Sequence, residues 1–284
     1  MTKIISIGIL LIVLSAAGFL IYGHIAEQNF YSDCMHQLDL NYQKNSRKIF
    51  LKSDVASTPT PVNRYFRKAI KEGQVRPGFA RYKENGQFKS NAGDKWVTLS
   101  AEGYYSTKPY GYLWKAEIDD SDFLSGSMSE YYLDGKGIIS KNILTGTKVE
   151  EQNGLTTNEL LLTRFLTRAV LFPSTLLPDT ELIWEPIDNT KAKLVVYNQG
   201  NNVSVVFHFD KNFLVEKITS LDIENDSSDG VNSTFIIHFS NYRNNSGFVV
   251  PTHIEYQWMN DKENFTFGKS DISSLEFNIP KLFN

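Results

Sequence analysis

Cysteine is almost absent from this chain of 284 residues, since Cys34 is the only one. One thiol excludes a disulfide within the chain, and a zinc site built on cysteine needs further thiolates. An excess of positive charge is also missing, because 29 Lys and Arg stand against 32 Asp and Glu and the net charge is −3. Nucleic-acid binding requires a face rich in Lys and Arg, so we predict no nucleic-acid partner.

Sequence motifs for catalysis and cofactor binding are missing as well. The chain has no Gly-x-Ser-x-Gly elbow of a serine hydrolase. A phosphate-loop ending at 268–270 has Glu263 where the first glycine is required. His208, His238 and His253 lack the local spacing of a metal site. We predict no metal, no cofactor and no enzymatic activity, although carboxylates that only folding brings together are not visible in a sequence.

The longest apolar run lies at the N-terminus. Residues 4–23 contain no charged side chain, and a helix of this length spans about 30 Å, the thickness of the hydrocarbon core of a bilayer. Lys3 precedes the run, whereas Glu27 and Asp33 follow it. Positive charge on the N-terminal side favours an N-terminus inside and a translocated remainder. We therefore predict a single-pass anchor over residues 1–26 in the cytoplasmic (inner) membrane, with the main domain extracytoplasmic.

Two other interpretations of the apolar run stay open. Ser15, Ala16 and Ala17 are small enough for a signal peptidase to cut after Ala17, although the apolar residues continue to Tyr22. The third interpretation is a helix buried in the protein core.

The character of the sequence changes at Thr58. Residues 27–57 are polar and mixed, and we predict that they form an extension of the anchor helix followed by a tether. The segment 58–73 has proline near its start, glycine at its end and apolar residues at helical spacing. A second amphipathic helix is predicted between Thr157 and Pro173, because proline ends a helix.

Alternation of apolar and polar residues dominates the remainder of the chain. Val203, Val205 and Phe207, for example, are separated by single residues of more polar or mixed character, a pattern typical of antiparallel strands with one buried face. Turn sequences such as 134–137 separate the strands. We predict an α+β fold: a curved antiparallel half-barrel of about ten strands with two main helices against its concave side, forming one domain over residues 58–284.

Four sequence blocks carry a resemblance to a known family. They are TPVNRYFRKA (60–69), WVTLSAEGYYSTKPYGYLWKAEI (96–118), NELLLTRFLTRAVLFPSTLLP (158–178) and FSNYRNNSGFVVPTHIEYQW (239–258). In this order they resemble an uncharacterised bacterial family known only as a domain of unknown function. The order of helices and strands is similar to the curved half-barrel of periplasmic lipoprotein carriers. Such a resemblance implies a fold and no particular activity.

Aromatic residues make up 13% of the chain, and they supply most of the candidate site. The candidate ligand-binding residues are Tyr105, Tyr112, Trp114, Trp258, Arg64 and Arg164. Aromatic side chains are typical walls of an apolar pocket, and cross-strand core packing is the alternative. The two arginines lie on otherwise apolar helices, where they could meet an anionic head group or pair with a nearby carboxylate.

These observations predict a membrane-anchored extracytoplasmic protein that binds a lipid or another apolar ligand. The alternative is a structural or protein-interaction domain of the cell envelope, with an envelope protein as its partner and the sheet interior filled by its own side chains. A cavity of at least ~300 Å³ with apolar walls would separate the two hypotheses.

Overall fold

A computed structural model describes most of the chain. The residues described are 2–43, 48–119, 126–143, 147–220, 234–259 and 264–283. Three α-helices lie among them: α1 (Thr2–Gln43), α2 (Thr60–Ala69) and α3 (Leu155–Arg168). Short 3-10 helices precede α2 and follow α3, at Lys52–Val55, Ala169–Leu171 and Pro173–Leu176.

Fifteen strands are present in the same residues. The first group is β1 (Phe79–Phe88), β2 (Val97–Ser106), β3 (Gly111–Asp119), β4 (Gly126–Leu133), β5 (Lys136–Ile143) and β6 (Thr147–Gln152). After α3 come β7 (Leu182–Pro186), β8 (Lys191–Asn198), β9 (Asn201–Phe209), β10 (Val215–Ser220) and β11 (Thr234–Ser240). The last group is β12 (Arg243–Asn245), β13 (Phe248–Val250), β14 (His253–Met259) and β15 (Asn264–Phe277).

Thirteen strands form one curved antiparallel sheet in the order β6-β5-β4-β3-β2-β1-β15-β14-β11-β10-β9-β8-β7. The first six strands are a meander, and β7 to β11 are a second meander. Strand β15 joins the two, because it pairs with β1 on one side and with β14 on the other. The predicted α+β class and the curved antiparallel sheet are therefore confirmed, with more strands than the ten expected.

Two local features differ from the strands that the sequence predicts. Strand β6 has the polar sequence TKVEEQ, which lacks the apolar alternation that predicts a strand. The predicted strand over 248–259 is divided at Pro251 into β13 and β14, which belong to different sheets. Proline has no amide hydrogen for a sheet ladder, so a break at this position is expected.

Helices α2 and α3 pack into the main core on the concave side of the sheet. In α2 the buried residues Val62, Tyr65, Phe66 and Ala69 repeat every three or four positions and so form one face. Helix α3 buries Phe165, among other apolar residues, against the first meander. The two predicted helices thus occupy the side of the sheet on which they were expected.

Helix α1 has two halves with different surroundings. Most large apolar side chains between Ile7 and Ile25 are more than half exposed. Further along, Cys34 and Leu38 are buried in a small cluster with Leu113 on the convex face of the sheet. The helix thus continues through the first part of the predicted extension and tether, and its second half belongs to the folded body.

Candidate functional site

A partly open cavity of about 730 Å³ lies on the concave side of the sheet. Strands β1 to β6 form one wall, β11, β14 and β15 form another, and α3 crosses between them. At one end the lining is apolar, with Phe88, Leu99 and Ile118 near the ends of their strands. At the other end it contains charged side chains from α3, β1 and β4, and a further ion pair, Lys141 of β5 with Glu150 of β6, lies in the lining between the two ends. The cavity is therefore amphipathic.

A row of stacked tyrosines forms the floor beneath α3. The ring centroids of Tyr82 and Tyr105 are 5.6 Å apart, those of Tyr105 and Tyr112 are 5.0 Å apart, and those of Tyr112 and Tyr132 are 6.5 Å apart. The row needs Gly103 opposite Tyr82, because a Cβ atom there would lie 2.6 Å from the Tyr82 ring. Burial raises the pKa of all four tyrosine hydroxyls above the usual value, so each hydroxyl keeps its proton.

The first charged group at the polar end is the carboxylate of Glu84, which is 1% exposed. Arg168 Nη1 donates to both of its oxygens, at 3.0 and 2.9 Å. Trp114 Nε1 donates to Oε1 at 2.7 Å, and the Ser270 hydroxyl donates to Oε2 at 2.9 Å. Burial alone would lower the pKa of the Arg168 guanidinium, but the Glu84 carboxylate reverses this and holds it above the usual value. Arg168 is therefore a fixed cation in the cavity wall.

A second ion pair lies one helical turn away. Arg164 Nη1 donates to Glu130, whose side chain is nearly buried, and the Tyr112 hydroxyl donates to the other oxygen of Glu130 at 3.0 Å. Residues four apart on a helix share one face, so Arg164 and Arg168 both point from α3 towards carboxylates of the sheet. The pairing joins α3 to β1 and β4 across the top of the tyrosine row.

The opposite wall of the cavity is an aromatic cluster from the second half of the sheet. The Phe235 ring lies 5.1 Å from Trp258 and 5.8 Å from Phe267, and Trp258 and Phe267 stack at 5.6 Å. Tyr256 completes the cluster at 6.0 Å from Phe267. These rings offer an occupant a broad apolar surface.

The cavity also lies close to helix α1. Glu27, the first charged residue after the apolar run, accepts hydrogen bonds from Ser127 Oγ at 2.8 Å and from Asn142 Nδ2 at 2.9 Å. Both donors belong to residues of the cavity lining, but their side chains point to the opposite face of the sheet, because the strand neighbour Met128 packs in the main core. The end of the apolar half of α1 is therefore fixed on the convex face, behind the strand ends that form the apolar end of the cavity.

The structure brings most of the predicted site residues together. Tyr105, Trp114, Arg164 and Trp258 line the cavity. Tyr112 lies directly below, where it packs in the tyrosine row and holds Glu130. Arg64 lies elsewhere on α2, with its guanidinium 4.7 Å above the ring centre of Phe213.

Sequence reasoning did not select three charged residues of the polar end: Glu84, Glu130 and Arg168. Arg168 carries a detectable signal, because a second arginine four residues after Arg164 extends the same face of an apolar helix. The two glutamates carry none, since Glu84 is 84 positions from Arg168 in sequence and only the sheet brings them together.

The histidines and carboxylates of the described residues are not grouped in the manner of a metal site. Within the described residues no group of three or more His, Cys, Asp or Glu side chains is close enough to hold a metal ion. The three histidines considered above have ordinary partners: His208 lies 3.2 Å from Thr219 Oγ1, and His238 lies 3.0 Å from Gln257 Oε1. His253 contacts two carboxylates on the strands at the sheet surface.

Fold and site together define a class: an α+β protein in which a curved antiparallel sheet and a crossing helix enclose an amphipathic cavity. The chain belongs to the family of unknown function DUF6544, which matches residues 48–270. This result confirms the resemblance seen in the sequence blocks. No curated protein is significantly similar to the chain in sequence.

Several solved structures have a similar arrangement. The match to a LolA superfamily protein from Nitrosomonas europaea covers 77% of this chain and 92% of that protein's chain, with 8% identity and a TM-score of 0.43. A putative outer membrane lipoprotein-sorting protein domain from Vibrio parahaemolyticus covers 71% and 86%, with 8% identity and a TM-score of 0.41. A DUF1329 family protein from Desulfovibrio piger covers 72% and 87%, with 13% identity and a TM-score of 0.41. Likeness at this level says nothing about function.

Proposed function

We propose that this protein binds a lipid or another apolar ligand in the concave cavity, beside a membrane to which its N-terminal helix anchors it. The cavity itself is the observation that carries the proposal. Its volume of about 730 Å³ falls within the range of sites for small molecules, roughly 300–1,000 Å³. Aromatic and aliphatic side chains supply much of the wall, and two buried ion pairs from α3 lie at one end.

The exposure of α1 supports the membrane anchor. Among the described residues, one helical stretch, Ser6–Tyr42, is long and apolar enough to cross a membrane. Exposed apolar surface of this extent is unfavourable in water and favourable in hydrocarbon. The charge difference between Lys3 and Glu27 supports an N-terminus inside and an extracytoplasmic domain. Residues 1–26 are then the anchor, and residues 58–284 are the main domain.

The contacts of Glu27 with Ser127 and Asn142 support a cavity that opens near the membrane surface. If residues 1–26 lie in the bilayer, Glu27 is at its surface, and Ser127 and Asn142 lie there too. A ligand that leaves the membrane then has a short path to the apolar end of the cavity. We infer a non-enzymatic role in which the protein takes up or presents an apolar molecule at the membrane surface.

A structural or protein-interaction domain of the cell envelope is the alternative hypothesis. It would require an interior filled by the protein's own side chains, whereas the concave side of this sheet encloses a large cavity. The cavity therefore favours ligand binding over a purely structural role.

Narrowing the cavity tests the proposal. Ala116 is 3% exposed and lines the cavity, so Ala116→Trp should fill part of it. Glu117→Trp is the matched control, because adjacent residues of a strand point to opposite faces and Glu117 is exposed. The full-length protein would be purified in mild detergent from a bacterial host, and its bound lipids would be extracted and identified by mass spectrometry.

We expect a stoichiometric lipid on the wild type and on Glu117→Trp, and at least a several-fold lower amount on Ala116→Trp. Equal lipid on all three proteins would show that the lipid surrounds α1 and does not occupy the cavity. An amount of bound lipid on Ala116→Trp equal to that on the wild type would therefore contradict the proposal.

A further inference from the structure

The polar end of the cavity has hydrogen-bond donors to spare and one acceptor group that is fully used. The Glu84 carboxylate accepts four hydrogen bonds, two at each oxygen. Two carboxylate oxygens offer about four lone-pair sites in all. Glu84 therefore has no capacity left for a donor group on a ligand.

Arg168, in contrast, uses only one of its nitrogens. Its three hydrogen bonds within the described part of the chain all come from Nη1, to Glu84 and to the Tyr82 hydroxyl at 3.1 Å. A guanidinium carries five N–H donors in a planar fork, so Nη2 and Nε remain without a partner in those residues. Since Arg168 lines the cavity, these donors are available to an occupant.

The charged side chains inside the cavity are paired with one another. Lys141 pairs with Glu150 at 2.7 Å, and the two arginines of α3 pair with their own glutamates. Lys269 also belongs to the lining, but its strand neighbour Ser270 points to Glu84, so the Lys269 side chain points to the other face, where Nζ lies 4.7 Å from the ring centre of Trp96. The case for an anionic ligand therefore rests on the unused donors of Arg168.

We propose that the occupant is an amphiphile with an anionic carboxylate or phosphate head, whose oxygens accept hydrogen bonds from Arg168. This inference rests on the proposed function and narrows its ligand class. The head lies beside Arg168 and Arg164, and the apolar chain follows the aromatic wall formed by Phe235 and Trp258 towards the ends of the strands.

A comparison of matched brominated ligands tests the inference. The full chain is placed in phosphatidylcholine nanodiscs at pH 8.5, and the probes are 9,10-dibromostearate and its methyl ester. Bromine quenches nearby indole rings, and Trp114 and Trp258 line the cavity. Quenching that remains after Trp114→Phe with Trp258→Phe is background from the other two tryptophans. Affinities are expressed relative to the amount of probe in the membrane.

Three variants separate the role of Arg168 from a general effect of charge. Glu84→Gln with Arg168→Met removes the ion pair as a unit, so that no buried charge is left without its partner. Arg64→Gln removes an arginine from α2, outside the cavity. Tryptophan emission and circular dichroism report whether each variant is folded, and Arg168→Lys offers a second variant that retains the charge but not the fork.

We expect the wild type to bind the acid at least about tenfold more tightly than the ester, a difference of about 1.4 kcal/mol, because hydrogen bonds from a guanidinium to a charged acceptor are stronger than those to a neutral one. The double variant should bind both probes equally with an unchanged affinity for the ester, Arg168→Lys should lose part of the preference, and Arg64→Gln should keep it. Brominated phosphatidate and phosphatidylcholine then identify the source: tighter binding of phosphatidate than of the fatty acid assigns a phosphate head, and the reverse assigns a carboxylate.

Three outcomes would overturn the inference. Equal binding of acid and ester by the wild type would show that the ligand does not need an anionic head, while the proposed function would still stand. A preference for the acid that persists in the double variant would show that Arg168 is not its cause. Binding of neither probe nor lipid would contradict the proposed function itself, so the two failures are distinguishable.

Discussion

The Glu84 carboxylate is expected to be the most sensitive position of the polar end, and Glu84→Gln tests this directly. The substitution keeps the shape of the side chain and removes its charge. All of the groups that contact the carboxylate, on Arg168, Trp114 and Ser270, are donors. A glutamine amide has one acceptor oxygen, and its NH2 group must face one or more of these donors. The variant therefore loses an ion pair, and its NH2 group faces another hydrogen-bond donor at unfavourably short range.

The magnitude follows from the burial of the pair. Removal of one partner from a buried ion pair destabilises a protein by about 3–5 kcal/mol. Because the amide oxygen of the variant still accepts hydrogen bonds, we expect a value near the lower limit, about 3 kcal/mol. For a domain of this size that corresponds to a fall in Tm of about 6–12 °C.

Thermal unfolding of the full chain in mild detergent, followed by tryptophan fluorescence and circular dichroism, measures the effect. Glu72→Gln is the control: Glu72 also pairs with a lysine, Lys52, but both side chains are about half exposed, and exposed pairs contribute little to stability. Adding Arg168→Met to Glu84→Gln should recover most of the loss, since no unpaired charge then remains. A Glu84→Gln protein as stable as Glu72→Gln, or a double variant less stable than the single one, would refute the reasoning.

Three further predictions concern α1 and the two titrating histidines. Leu38→Asp should release the second half of α1 from the sheet, because Leu38 is fully buried beside Cys34; maleimide labelling of Cys34, slow in the wild type, should become fast, and equal rates would contradict the docking. Burial lowers the pKa of His253, but hydrogen bonds to Asp271 and Glu255 outweigh this and raise it. Its stabilising effect is therefore complete below the unfolded pKa of about 6.5 and is lost as pH rises through the folded pKa. Urea unfolding should show a larger loss from His253→Gln at pH 5.5 than at pH 8.5, and the reverse order would exclude the pairing. Burial lowers the pKa of His208 to about 4, so protonation of the unfolded state should reduce stability as pH falls below about 6.5; His208→Gln should weaken that decline, and an unchanged decline would refute the assignment.

Local patterns in the sequence were sufficient for the fold class. Alternating residues such as Val203, Val205 and Phe207 predicted strands, and the spacing of Val62, Tyr65 and Phe66 predicted α2. Both signals arise within a few residues of the chain, because burial of one face of a strand or helix imposes a period on the sequence. The family resemblance rested on the same kind of local information and is confirmed.

Sequence also selected part of the aromatic lining of the cavity. Tyr105, Trp114 and Trp258 were selected from composition and alternation, and all three line the cavity. Arg164 and Arg64 had equal support, since each lies on an apolar helix. Only the packing of the helices separates them: α3 crosses the cavity, whereas α2 packs beside Phe213.

Tertiary structure alone decided the polar end of the cavity and the order of the strands. The pair of Glu84 and Arg168 exists because β1 and α3 meet across the sheet, and the union of the two meanders depends on β15 lying beside β1. Such contacts join residues far apart in the chain, and no local period records them. The sequence by itself therefore determined the apolar N-terminal run, the classes of the elements and the aromatic content, because these depend on near neighbours. Only the folded chain determined where charges meet, how large the cavity is and which end of it lies next to α1, because these depend on the closure of the whole sheet.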